Sequence, residues 1–239
     1  MNIDLSASAW AEAWKILSNS LLQGIWETVY VSLIATLISF VIGIPLGVLL
    51  VTGGKNGIAP LPKWLMAIIG FIVNILRSVP FVILVVVVFP ITRAIIGTTL
   101  GPVASIVPLV IAAAPYVARL VESSIREVNP NIIEAAQSMG ATPMQIVWHV
   151  MLPEAFPSLV SNLTIAMTTI IAYTAMTGSV GGGGLGKIAI NYGYYRFQWI
   201  TMMAAVLVIV IMVEVVQDIG THLAISCDKR LKNKGRKLE

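Results

Sequence analysis

The chain has 239 residues, 57% of them hydrophobic and only 11% charged, with a mean hydropathy of +0.90 and a net charge of +4. A soluble domain carries about 25% charged residues, so a chain built to face water all round is excluded, and one domain of several membrane spans fits the length. The single cysteine, Cys227, excludes an internal disulfide framework and any all-cysteine metal site.

The first fourteen residues contain Asp4 and Glu12 but no Lys or Arg, so the basic region of a signal peptide is missing. Trp10, Trp14, Leu17 and Leu21 recur at steps of four, three and four, which places them on one face of a helix. Such a helix fits the membrane interface; an ordinary lead-in to the first span fits equally. A transmembrane helix needs about 20 predominantly apolar residues. Five stretches qualify. They are residues 29–52, about 64–89 with Arg77 inside, about 101–118 broken up by Pro108 and Pro115, one within 155–186 whose last part reads as loop, and one from about 197 into Glu214 and Asp218. Gly43, Pro45 and Gly47 of the first suit a packed helix face.

Five spans put the termini on opposite sides, and basic residues then choose the orientation. With the C-terminus inside, the inner side holds Lys55, Lys63, Arg119, Arg126 and six more between Lys229 and Lys237. The outer side holds Lys15, Arg93, Lys187 and Arg196. Ten against four predicts N-terminus out, C-terminus in. The basic tail reads as a positive-inside anchor, or as a binder of anionic headgroups.

This orientation puts a polar island, residues 129–157, in the cytoplasm. Asn129 suits an N-cap and Pro130 the first helical position. Gly140 suits the left-handed position after a helix end. Thr142-Pro143 repeats the start signal, predicting a second short helix that runs to about Met151 before Pro153. Ala135, Ala136 and Gly140 leave the surface low enough for another protein to approach, and Glu134 adds a charge. A plain helical loop is the alternative.

Glu134-Ala135-Ala136, three residues, Gly140, nine residues, then Val150-x-Leu152-Pro153 resembles the EAA loop of bacterial ABC-importer permease subunits, where Ile is usual at the position of Val150. The resemblance extends over about residues 26–220. Residues 74–81 (Asn-Ile-Leu-Arg-Ser-Val-Pro-Phe), 140–146 and 181–186 with Tyr192-Gly193-Tyr194 resemble the methionine-uptake, MetI-type branch. The resemblance implies an all-α integral membrane protein with the type I ABC-importer permease fold, about five spans and a cytoplasmic coupling helix. It implies an N-terminal interfacial segment (1–23), a permease domain (24–223) and a basic tail (224–239). It also implies a pair of permease subunits in the bacterial inner membrane. Two ABC ATPase subunits would carry ATP and Mg, and a periplasmic or lipid-anchored binding protein would deliver an amino acid. Glu134, Ala135, Ala136, Gly140, Leu152 and Pro153 are then the ATPase-coupling residues, with no catalytic residue, metal site, cofactor or nucleic-acid partner in this chain.

Residues 181–187, Gly-Gly-Gly-Gly-Leu-Gly-Lys, nearly fit a P-loop, which needs a preceding strand and a Ser or Thr for magnesium. An apolar span precedes them and Ile188 follows, so a closely packed turn at the outer mouth is the better account. Arg77 lies thirteen residues into its span, about 20 Å deep at the rise of a helix. It must face protein or water there, either lining the pathway with Ser78 or clamped to carbonyls or to a carboxylate such as Glu214. Asn162, Thr169, Tyr173, Met176 and Thr177 form one helical stripe that either lines a passage for a small zwitterion or knits helices together. His149 and His222 have no ligand neighbours at metal spacing, and Glu214 and Asp218 suit pairing with basic residues. A secondary carrier or channel needing no ATP is the alternative function, but no half-to-half repeat supports it. A membrane hydrolase lacks a nucleophile and base at one depth.

Overall fold

A computed structural model describes residues 6–227; of the tail expected at 224–239, residues 224–227 belong to a described helix and the rest lies outside the described residues. The described residues are helical, with no strand among them. The helices are α1 (Ala7–Thr52), α2 (Lys63–Ser78), α3 (Phe81–Ile96), α4 (Pro102–Arg126), α5 (Pro130–Ser138), α6 (Pro143–Ile146), α7 (Leu152–Thr177), α8 (Gly184–Ile188) and α9 (Trp199–Cys227). Four stretches are long and apolar enough to cross a membrane, or five if α2 and α3 count as one broken span. Lipid leaves a backbone polar group no partner but its own chain, and helices meet that demand within one segment.

Four expected boundaries are corrected. The first span is not a separate element, because α1 is continuous from Ala7 and takes in the N-terminal tryptophans, with Trp10 and Trp14 exposed. The second is two helices of 16 residues. Pro80 has no N–H, crowds the carbonyl of Leu76 and forces Val79 away from the helical region; its own backbone is extended at φ −56°, ψ 133°. The third is not broken at all, since α4 runs 25 residues through Pro108 and Pro115. Each proline there removes one hydrogen bond, while Leu109, Val117 and Val121 on the same helix are almost wholly buried. Finally, α6 does not stop before Pro153. A π turn over Val147–Met151 carries it directly into α7, with Leu152 N–H donating to Val147 O. That wider turn lies just where the Pro153 ring would crowd the carbonyl of an α-helix.

The described residues form two compact units, to both of which α1, α4, α7 and α9 contribute. One comprises residues 6–38, 79–113 and 167–216. Its core packs Val31, Ala35, Phe81, Val85, Leu109, Ala113 and Ile170 together, and a second cluster gathers Leu185, Ile188, Ala189 and Ala205. The other comprises residues 39–78, 114–166 and 217–227. Its core joins Val117, Val121 and Ile125 of α4, with Val128 just beyond it, to Ala136, Ile146, Val147 and Met151 of the island.

Close backbone approach shapes this second unit. A Cβ on Gly43 would meet Val117 Cγ1 at 2.5 Å, and one on Gly47 would meet Ala118 O at 2.6 Å. The small residues of the first span therefore seat α1 against α4, the role expected of them. Gly70, by contrast, has nothing within 4 Å of such a Cβ. Gly47→Leu is expected to cost about 1–3 kcal/mol through overpacking, and Gly70→Leu to cost no stability, checked by thermal unfolding of the two variants in detergent.

Candidate functional site

The island folds as a knuckle with every turn accounted for. Asn129 Oδ1 accepts from Asn131 N at 3.0 Å, and Pro130 occupies the first turn of α5. The helix closes with Gly140 N donating to Gln137 O (2.9 Å) and Ala141 N to Ala136 O (3.1 Å), the paired bonds of a Schellman motif. That motif needs a left-handed residue, and Gly140 has φ +80°. No atom lies within 4 Å of a Cβ placed there, so glycine is required within this chain for its backbone and not for space. Thr142 and Gln145 form a reciprocal capping box at the start of α6, with Thr142 N donating to Gln145 Oε1 at 2.8 Å.

The knuckle has an inner and an outer side. Ala136, Ile146, Val147 and Met151 are buried in the core, and Leu152 packs against it. Glu134, Ala135, Gly140 and Pro153 are exposed, as are Met139 (82%) and Met144 (66%). The Glu134 carboxylate has no hydrogen-bond or ion-pair partner among the described residues. Such a surface, apolar, low and carrying one unpaired charge, is suited to docking against another protein.

Near it lies a charge network that the sequence reading missed. Glu122 is 9% exposed. One of its oxygens accepts from Arg119 Nη1 at 2.6 Å and the other from Arg126 Nη2 at 2.8 Å. Arg119 Nη2 also donates to Asn74 Oδ1 at 2.8 Å, tying α4 to α2. The signal was present as Arg-x-x-Glu-x-x-x-Arg, a one-turn spacing on each side.

The glycine-rich segment is a packed turn. Its amides are already engaged: Gly182 N donates to Thr177 O (2.8 Å), Gly184 N to Glu27 Oε2 (2.7 Å) and Leu185 N to Thr28 Oγ1 (3.0 Å). A phosphate would need those donors and would meet the Glu27 carboxylate. A Cβ on Gly186 would collide with Ala175 O. Glu27, which precedes the span expected at residues 29–52 and has no role in the sequence reading, is thus the group that caps α8.

The pathway candidates divide. Arg77 is exposed and makes no hydrogen bond or ion pair among the described residues, so the expected clamp to a carbonyl or to Glu214 is not formed. Ser78, also exposed, returns its hydroxyl to Asn74 O at 2.8 Å. Tyr173 stacks on Phe81 with ring centroids 4.4 Å apart. Met176 is exposed and Thr169 half-buried. Thr177 is a correction, being 2% exposed with its hydroxyl bound to Thr174 O. Asn162 knits α7 to α4 through Ser124 Oγ (2.6 Å) and Leu120 O (3.2 Å). His149 and His222 each bond to the carbonyl one turn back, Gln145 O and Asp218 O. Glu214 and Asp218 form no ion pair among the described residues.

Residues 43–222 match the family described as binding-protein-dependent transport system inner membrane component. The chain belongs to this family. The probable D-methionine transport system permease protein MetI of Vibrio cholerae is 45% identical over 95% of this chain and 100% of its own length. The D-methionine transport system permease protein MetI of Escherichia coli K12 is 48% identical over 66% of this chain and 72% of its own length. Among solved structures, an inward-facing form of the MetNI methionine ABC transporter superposes with TM-score 0.87 at 43% identity, covering 89% of this chain and 98% of that one. An amino acid ABC transporter with histidines, 17% identical at TM-score 0.73, shares the fold.

As a member of the binding-protein-dependent permease family, the chain is a multi-pass inner-membrane permease subunit of an ABC importer with the type I fold, and ATP hydrolysis belongs to a separate subunit. The EAA motif is typical of that family, and here it coincides with the exposed knuckle. Removing Glu122 should leave Arg119, whose Nε is already buried without a partner, uncompensated. Glu122→Ala is expected to destabilise the permease by about 3–5 kcal/mol, whereas Arg126→Ala, on a side chain 59% exposed, should cost about 0–1 kcal/mol. Unfolding in detergent micelles measures both.

Proposed function

We propose that this permease imports methionine, and that it works as a homodimer with two ABC ATPase subunits and an external binding protein. The identity to D-methionine permeases of two organisms supports the substrate, and the likeness to MetNI supports the assembly. The basic-residue asymmetry supports an N-terminus outside and a C-terminus in the cytoplasm. On that orientation residues 1–23 form the outer lead-in, 24–223 the permease domain and 224–239 a cytoplasmic tail.

The observation that carries the mechanism is the rigid, outward-presented knuckle at Gly140. Glu134, Ala135 and Gly140 form the low surface that seats in the ATPase, Ala136 fixes it to the core from beneath instead of facing the partner, and Glu134 pairs with a cation there. Leu152 and Pro153 join the knuckle to α7 through the π turn, so a push on α5 is passed to a membrane span and not absorbed in a loop. ATP closes the motor dimer and draws the two knuckles together. The spans reorient to face outward, the binding protein releases its amino acid, and hydrolysis restores the inward-facing state. Arg77, Ser78, Thr169, Tyr173 and Met176 line the route, with the unpaired Arg77 guanidinium attracting the substrate carboxylate.

Gly140→Val should strain the left-handed turn and fill the docking surface, abolishing uptake while the protein remains inserted. Gly140→Asn, which tolerates that conformation, should keep the turn and recover ATPase binding in part. Co-purification of the ATPase and uptake into vesicles test this. Uptake at full rate by Gly140→Val with no ATPase bound would show that coupling runs elsewhere. For the substrate, unlabelled methionine should outcompete other amino acids in vesicle uptake with the binding protein supplied; equal competition by an unrelated amino acid would overturn the assignment.

A further inference from the structure

A groove of about 760 Å³ runs along the start of α7, walled by Phe40 and Ile44 of α1 and by Leu152, Phe156, Leu159 and Leu163 of α7. We propose that this groove binds the acyl chain of an anionic phospholipid, whose phosphate is held by the basic segment that follows Cys227. The binding itself does not depend on the transport reading; its place in the inner leaflet rests on the orientation proposed above.

The groove has the depth of one leaflet. Leu152 to Leu163 is eleven residues of α7, about 16 Å at the rise of a helix, and one leaflet gives about 15 Å of hydrocarbon. Trp148 lines the knuckle end and is 62% exposed, where an indole suits the border between hydrocarbon and water. Phe156 and Leu163 are exposed along the groove, so its apolar wall is offered to what lies outside the chain.

Charge chooses the lipid. Gly220 of α9 seats directly against Thr164 of α7, and the helix then runs on to Cys227, which lines the groove near its Leu152 end. Six Lys or Arg follow between Lys229 and Lys237, against Asp228 and Glu239, a formal +4 over residues 228–239. Backbone length alone keeps them close. Arg230 is three residues past Cys227 and can stand no more than about 11 Å away, roughly one Debye length in dilute salt. The groove's own carboxylate, Glu154, is one charge against those six cations. An anionic headgroup matches the surplus, as for basic segments beside membranes generally, whereas a zwitterionic headgroup adds an ammonium that the cations repel. A second copy packed symmetrically on the groove would bring its own basic segment to the same place, so like charges oppose that occupant.

The test uses the delipidated permease–ATPase complex in neutral detergent, with dioleoyl phosphatidylglycerol and dioleoyl phosphatidylcholine as probes and native mass spectrometry as readout. Phosphatidylglycerol should be retained about tenfold more tightly or better, and glycerol phosphate, the same headgroup chemistry without acyl chains, should not displace it. The triple variant Lys229→Gln, Arg230→Gln, Lys232→Gln should bring the two lipids level. Phe156→Gln with Leu163→Gln, both on exposed side chains, should weaken both lipids by about tenfold and keep their ratio. Equal retention of the two lipids by the native chain, or an unchanged preference in the triple variant, would overturn the proposal. So would displacement by glycerol phosphate or full retention by the Phe156 and Leu163 variant, since the cations would then act without the groove. Binding in detergent stands apart from topology: a reversed orientation would move the site to the outer leaflet and leave these results unchanged.

Discussion

Every feature of this permease follows from one constraint, that a backbone polar group in lipid must find its partner within the protein. The chain meets it with helices almost everywhere, and several departures are compensated by a named group. Gly184 and Leu185 offer amides that no helix satisfies, and Glu27 and Thr28 accept from them. Gly101 N turns back to Gly181 O at 2.9 Å. At Gly140 the Schellman pair satisfies the last carbonyls of α5, and at Pro153 a π turn accommodates the missing donor.

The same constraint explains why the knuckle is stiff. A loop that merely joined two spans would leave its amides to water and flex freely. This one has caps on both short helices, a buried inner side and an unbroken passage into α7. That unbroken helical passage is what the proposed coupling to a separate ATPase requires. The Arg119–Glu122–Arg126 network, with Asn74 attached, braces α4 against α2 in the same unit.

Much of this was legible from residue order alone. Capping at Asn129 and Thr142 and the turn at Gly140 are local effects, settled within five or six residues, and local sequence suffices for those. The continuity of α4 through two prolines was not legible, since it depends on burial of Leu109, Val117 and Val121 against residues far away in the chain. Nor was the break at Val79-Pro80 in a span that composition made look continuous. The stripe on α7 divided in the same way. Its polar residues share a face by spacing, yet Asn162 serves α4 and Thr177 is buried, because hydropathy does not say which neighbour a face meets.

Sequence by itself determined the membrane class, the number of apolar stretches, the capped island and the family. These rest on composition, period and short-range turn chemistry, none of which needs a partner. Tertiary structure alone decided which prolines break a helix, that Glu27 and Glu122 carry structural charge, and that, among the described residues, Arg77 stays unpaired and two acceptors at the α9 terminus lie buried without a donor. Those outcomes turn on residues brought together from distant positions, where a carboxylate or a hydroxyl acquires its role from what faces it.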